Sequence, residues 1–164
     1  MTTCPQCGGR LTGHGTRERH VIENGVKIWF RVRRRRCKDA KCKTSCTQLL
    51  PNMLPHKHYC AADVEEVLRA AETHTPTSEL QTTADESTLR RWRNEFSAML
   101  DVLSGTLESI ATAVRRPVKP LLQMAKSPIA RLREAVTALE ELPAGWTYLS
   151  RAYFWHRTHP LCLG

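Results

Sequence analysis

The chain has 164 residues, 41% of them apolar, with 25 Lys and Arg against 16 Asp and Glu, a formal net charge of +9. That length and apolar content hold one moderate core plus a small accessory module. The first twenty residues are polar, and no segment approaches the about 20 consecutive apolar residues of a membrane span. A secreted or membrane-inserted protein is therefore not expected. The charge is uneven. Residues 1 to 60 carry 13 basic against 3 acidic residues, and the remaining 104 carry 12 against 13, so the excess sits in the first third. Such a surface attracts polyanions through counterion release.

Two cysteine pairs open the chain, Cys4-Pro-Gln-Cys7 and Cys37-Lys-Asp-Ala-Lys-Cys42. A tetrahedral zinc site needs four soft ligands, and each short pair forms a knuckle whose thiolates converge on one metal. Without a leader, metal-bound thiols are favoured over disulfides. The expected cofactor is Zn2+ at Cys4, Cys7, Cys37 and Cys42, with Cys46, three intervening residues on, as the alternative to Cys42. Cys60 and Cys162 read as small buried residues.

Between the knuckles, Asn24-Gly25 supplies the two positive-φ positions of a type I′ turn. Ile28, Phe30 and Val32 alternate with Trp29, Arg31 and Arg33, which predicts an antiparallel hairpin. Its second strand carries Arg31, Arg33, Arg34, Arg35 and Arg36, the candidate phosphate contacts. A membrane surface is a weaker partner because this cluster lies on a strand and not on a basic amphipathic helix. Residues 49–59 contain two prolines and no period, so they read as a linker, with His56 and His58 at its surface.

Val64, Val67, Leu68 and Ala71 predict a helix over 61–72, with Asp63 in its first turn. Thr73 to Pro76 break it, and Ser78-Glu-Leu-Gln81 matches a capping box opening a short second helix. Asp85 or Ser87 caps a third, in which Leu89, Trp92, Phe96, Met99 and Leu103 form the apolar stripe. Arg90, Arg91, Arg93 and Asn94 face away from it. Three helices with that basic face suggest a helix-turn-helix whose third helix enters a major groove.

Cys4-Pro-Gln-Cys7-Gly-Gly, the basic Trp29 to Arg36 strand, Cys37-x4-Cys42, Leu50-Pro51 and Ser87-Thr-Leu-Arg-Arg-Trp-Arg93 together resemble a known group. Residues 4 to 95 are similar to the N-terminal zinc finger and helix-turn-helix of bacterial insertion-sequence transposases. They are also similar to short proteins carrying those two modules without a nuclease. The resemblance implies zinc at Cys4, Cys7, Cys37 and Cys42 and DNA binding through the helix near Ser87. The chain departs from the pattern after the second knuckle, where Lys43-Thr-Ser-Cys46 replaces an aromatic-containing strand.

A complete transposase also needs three scattered acidic metal ligands in a long catalytic domain, for which residues 97–164 are too few. Those residues read as helical instead. Leu103, Leu107, Ile110 and Val114 continue the stripe to Pro117, and Ser127-Pro128 opens a further helix with Ile129, Leu132, Val136 and Leu139 on one face. That face packs on the body or forms a homodimer. Trp146, Tyr148, Tyr153, Phe154 and Trp155 crowd the tail, which caps the core or docks on a partner protein.

The expected fold class is α+β, mostly α: zinc ribbon 1–48, linker 49–59, helix-turn-helix 60–100 and C-terminal helical region 101–164. The expected function is a non-enzymatic DNA-binding accessory or regulatory factor of a mobile element, cytoplasmic and nucleoid-associated, with double-stranded DNA as partner. Alternatives are a recognition subunit or remnant of a transposase or recombinase complex, and a structured-RNA binder using Trp29 for stacking. No small-molecule substrate and no nucleophile-base constellation are evident.

Overall fold

A computed structural model describes residues 3–114 and 127–158. It is mixed α+β: a three-stranded antiparallel sheet of order β1-β2-β3, followed among the described residues by four α-helices. Strands β1 (Leu11–Glu23) and β2 (Val26–Cys37) form one long hairpin, and β3 (Ser45–Thr47) pairs with the end of β2. The hairpin closes at Asn24 (φ 50°) and Gly25 (φ 78°), the two left-handed positions expected of the Asn-Gly pair. Glu23 then faces Val26, and the register runs back to Leu11 opposite Cys37, with an irregularity between Gly13 and Thr16. Because side chains alternate along a strand, Arg31, Arg33 and Arg35 share one face of β2, and Arg34 and Arg36 the other.

Strand β1 is a sheet edge, and an unpaired edge invites adventitious pairing. Residues 58–60 cover it. The Ile22 N–H donates to the His58 carbonyl at 2.6 Å, and the Cys60 N–H donates to the Ile22 carbonyl at 3.1 Å. The Arg19 guanidinium adds bonds to the Leu54 and Lys57 carbonyls at 2.6 and 2.7 Å. Val21 and Val32 bury against Met53 and Cys60 behind this seam. The segment predicted as a linker is thus docked along its length.

Helix α1 (Ala61–Glu72) starts at Cys60, whose sulfur accepts the Asp63 N–H at 3.4 Å while its thiol donates to the Asp63 carboxylate at 3.1 Å. Cys60 therefore caps a helix, a role beyond the passive burial expected of it. Burial pushes its thiol up to about 11. The buried stripe is Val64, Val67, Leu68 and Ala70, with Ala70 in the place predicted for Ala71. In place of the predicted second helix there is one 3-10 turn, Thr77–Glu79, with no side-chain cap. The backbone is already extended at Leu80, which ends the turn after three residues.

Helix α2 (Glu86–Ala113) runs 28 residues, unbroken across 100 and 101. Asp85 is its cap, accepting the Thr88 N–H at 2.9 Å and the Ser87 and Thr88 hydroxyls, which hold its carboxyl well below the usual carboxylate range. Leu89, Trp92, Phe96, Leu100, Leu103, Leu107 and Ile110 are buried; Leu100 leads where Met99 was expected, Met99 being half-buried, and Val114 is exposed. Pro117 and Cys162 lie outside the described residues. Helix α3 (Pro128–Leu139) begins at the Ser127 cap with proline in its first turn, as predicted, and buries Ile129, Leu132, Val136 and Leu139 in the same core. That stripe is used within the chain. Among the described residues no helix is long and apolar enough to cross a membrane.

Helix α4 (Tyr148–Thr158) closes the body. The Arg151 guanidinium pairs with both Glu140 oxygens and lies over the Trp146 and Phe154 rings at 4.9 and 4.6 Å, while Trp155 donates to Glu140 at 2.7 Å. The aromatic tail caps the core. Two carboxylates of α1 organise the arrangement. Glu65, 7% exposed, accepts the Leu149 N–H at 3.0 Å, and Glu72 accepts the Ile129 N–H at 2.8 Å. Each acidic side chain satisfies an orphan donor at the positive end of another helix. Glu65→Ala should therefore destabilise the fold by about 1–3 kcal/mol, because it strands a buried N–H. Glu65→Gln, which keeps an acceptor, should cost less; urea unfolding checks the order.

Candidate metal centre and basic surface

The first knuckle follows directly from local backbone chemistry. The Gly8 N–H donates to the Cys4 carbonyl at 3.0 Å and the Cys4 N–H to the Gly9 carbonyl at 2.7 Å, with Gly8 at φ 71°. This curls Cys4 and Cys7 toward the same point. Gly9 is needed for a separate reason: a Cβ there would lie 3.2 Å from the Cys7 sulfur and 3.3 Å from the Cys37 sulfur. The second knuckle turns through Lys43 (φ 52°), whose N–H donates to the Asp39 carbonyl at 3.2 Å, and Asp39 also accepts the Lys41 N–H at 2.8 Å. Arg10 ties the two together by accepting the Lys38 N–H at 3.0 Å.

As a result, Cys4, Cys7, Cys37 and Cys42 present sulfurs that all lie within 4.8 Å of one another. Cys4 and Cys42 are 3.7 Å apart, and Cys7 and Cys37 3.5 Å. Four thiolates at about 2.3 Å from a tetrahedral ion stand about 3.8 Å from each other, so the donor set fits such a metal. Cys46, opposite Arg35, is buried with Leu11 against this cluster but is not one of the four converging sulfurs. Of the two candidates for the fourth position, Cys42 occupies it.

The thiols share protons unequally. The Thr44 hydroxyl and then its N–H lower Cys42 to about 7. The Gly9 N–H favours the Cys7 thiolate, but Cys42, Cys37 and burial outweigh it and push Cys7 up to about 12. Cys37 is pulled down by the Asp39 N–H, yet burial with Cys4 and Cys42 leaves it raised. A metal must displace the protons held by the raised thiols.

The predicted anion-contacting residues fall into two sets. On β2, Arg31 is exposed and 3.9 Å from Glu18, a pair worth little in water, and among the described residues Arg33, Arg34, Arg35 and Arg36 have no ion-pair partner. On α2, Arg90, Arg91 and Asn94 are exposed and Arg93 is half-buried. The docked linker bridges the sets. A groove of about 630 Å³ is lined by Arg17, Arg34, His20, His56, Lys57 and His58 among others, and a second of about 350 Å³ joins the same His56, Lys57 and His58 to Arg91. Lys57 itself is spent on Glu95 and on the Phe96 ring, 5.4 Å away. Sequence reasoning missed Arg17 and His20, because only the docked linker completes the groove they line.

The chain belongs to the family described as Domain of unknown function (DUF6431), which matches residues 4–92. That span takes in both knuckles, the hairpin, the linker, α1 and α2 as far as Trp92. No curated protein and no solved structure matches the chain.

Two outcomes are expected at the metal centre. Gly9→Val should weaken metal affinity while leaving the helical body folded, measured by chelator competition alongside far-ultraviolet circular dichroism. Affinity should also fall as pH drops, and more steeply below about pH 7, where Cys42 too is protonated and one more proton must leave.

Proposed function

We propose that this DUF6431 member is a zinc-dependent, non-enzymatic DNA-binding protein serving a mobile genetic element as an accessory or regulatory factor. The observation that carries the reading is the arginine run of β2, with Arg33 to Arg36 uncompensated by carboxylates among the described residues, and the pair of grooves at His56 to His58 that reach Arg34 on one side and Arg91 on the other. A duplex backbone supplies the missing anions, and such contacts position a protein without reading sequence. Arg90, Arg91 and Asn94 extend from the first turns of α2, the part of a recognition helix that meets base edges. On this reading α1, the 3-10 turn and α2 act as a helix-turn-helix whose middle element is a single turn.

Zinc is the metal best suited to four cysteine thiolates at tetrahedral spacing, where it would act as a structural staple. The staple sits at the open end of the hairpin, beside Cys37 and directly after Arg36, so it would fix the direction in which the arginine run points. The mobile-element role rests on the resemblance of residues 4 to 95 to insertion-sequence proteins.

Native mass spectrometry should find one zinc per chain, lost in Cys4→Ser. Fluorescence anisotropy with labelled duplex should show an affinity that falls steeply with salt. A selected duplex should outcompete random duplex for the wild type, and Arg91→Ala should reduce that preference by about 5- to 150-fold, the worth of one good base contact. Absence of duplex binding at low salt would overturn the reading.

A further inference from the structure

One feature of the basic groove is unused by duplex binding. Trp29 is 61% exposed on β2, and directly across the hairpin His20 holds it with ring centroids 4.8 Å apart. His20 is in turn stacked on His58 of the linker, 4.4 Å apart and within 12° of parallel. Partial desolvation, then the nearby charges of His58, Lys27 and Arg19, hold His20 below its ordinary pKa, so it stacks as a neutral ring at pH 7. His20 and His58 form the stacked pair, anchored at the linker end, and Trp29 meets His20 tilted by 57° and stays exposed. All three line the groove of about 630 Å³, a size within the ~300–1,000 Å³ of small-ligand clefts. Arg17 and Arg34 line it too, and its one carboxylate, Glu18, lies 3.9 Å from Arg31.

An anchored aromatic face beside guanidinium groups that have no ion-pair partner among the described residues is the chemistry that holds an unpaired base and its phosphate. A base paired within a duplex has no free face to offer. We infer that the His58–His20–Trp29 cluster is a binding platform for an unpaired nucleotide, so that the protein engages single-stranded nucleic acid at the hairpin in addition to duplex at α2. The inference rests on the nucleic-acid reading above and names a second strand class for the same surface. Trp29 takes the base on its open face, and Arg17 and Arg34, which belong to the other face of the strands but line the same groove, meet the flanking phosphates. A protein so equipped recognises a junction between paired and unpaired strands.

The test measures anisotropy with three labelled probes: a blunt duplex, the same duplex with a single-stranded thymidine overhang, and a single-stranded thymidine oligonucleotide. A uridine ribo-oligonucleotide separates RNA from DNA as the source of the unpaired base. Trp29→Ala should lower affinity for the overhang and single-stranded probes by about 5- to 150-fold and leave the blunt duplex unchanged. Trp29→Phe, which keeps a stacking face, should restore most of the loss. Metal content and circular dichroism confirm that each variant is folded. Equal loss on all probes, or no loss on any, would overturn the platform while leaving duplex binding intact. Failure of the wild type to bind any probe would overturn both proposals.

Discussion

Two backbone hydrogen bonds at Ile22, one from its N–H to His58 and one to its carbonyl from Cys60, join the sheet to the helices. The rest of the arrangement depends on that seam. On one side, Val21 and Val32 can bury only because Met53 and Cys60 lie over them. On the other, Cys60 caps α1 and Tyr59 packs edge-on against Trp92 of α2, 5.1 Å between ring centroids. Three consecutive residues therefore pair with a strand, fill a core and start a helix. A small sheet with one short third strand has little core of its own, and the seam gives it a wall.

The metal centre and the seam work at opposite ends of the hairpin. The cysteine cluster closes the open end, where β1 begins and β2 finishes, while the seam holds β1 near the turn. At the turn itself Gly25 approaches Thr83, where a Cβ would lie 3.1 Å from its methyl group, so the tip also rests on the loop before α2. The hairpin is thus held at three places along its length. A strand carrying five arginines is forced by its own repulsion to splay or to find anions, and these attachments limit the first outcome.

Within the helical body, charge is used for construction. Glu65 and Glu72 lie seven residues apart, two turns along one face of α1, and each accepts a leading N–H of a different helix. Glu140 gathers Arg151 and Trp155 in the same way. Glu65, Glu72 and Glu140 are committed to the body, and the positive excess of the chain sits on the hairpin.

Much of this was legible in the sequence. The cysteine spacing announced a four-thiol cluster, because two short pairs cannot converge without knuckles. Asn24-Gly25 set the hairpin and its register, since only left-handed φ values close a two-residue loop without splaying the strands. Apolar periodicity located α1, α2 and α3 and most of their buried faces. Other features were not local. Ser78-Glu-Leu-Gln81 has the letters of a capping box, but only a 3-10 turn over Thr77–Glu79 forms there, and the chain is extended from Leu80. Cys42 over Cys46 was decided by the turn at Lys43, and Cys46 is left to pack under the cluster. The acidic residues inside the α1 stripe were a visible signal of buried caps, but their partners, Leu149 and Ile129, lie 84 and 57 residues away. Periodicity and turn chemistry act over a few residues, so the sequence by itself determined the elements, the four-sulfur cluster and the sign of the surface. Only the tertiary structure decided that linker, hairpin and α2 share that surface, because edge pairing at Ile22 joins groups that no local pattern connects.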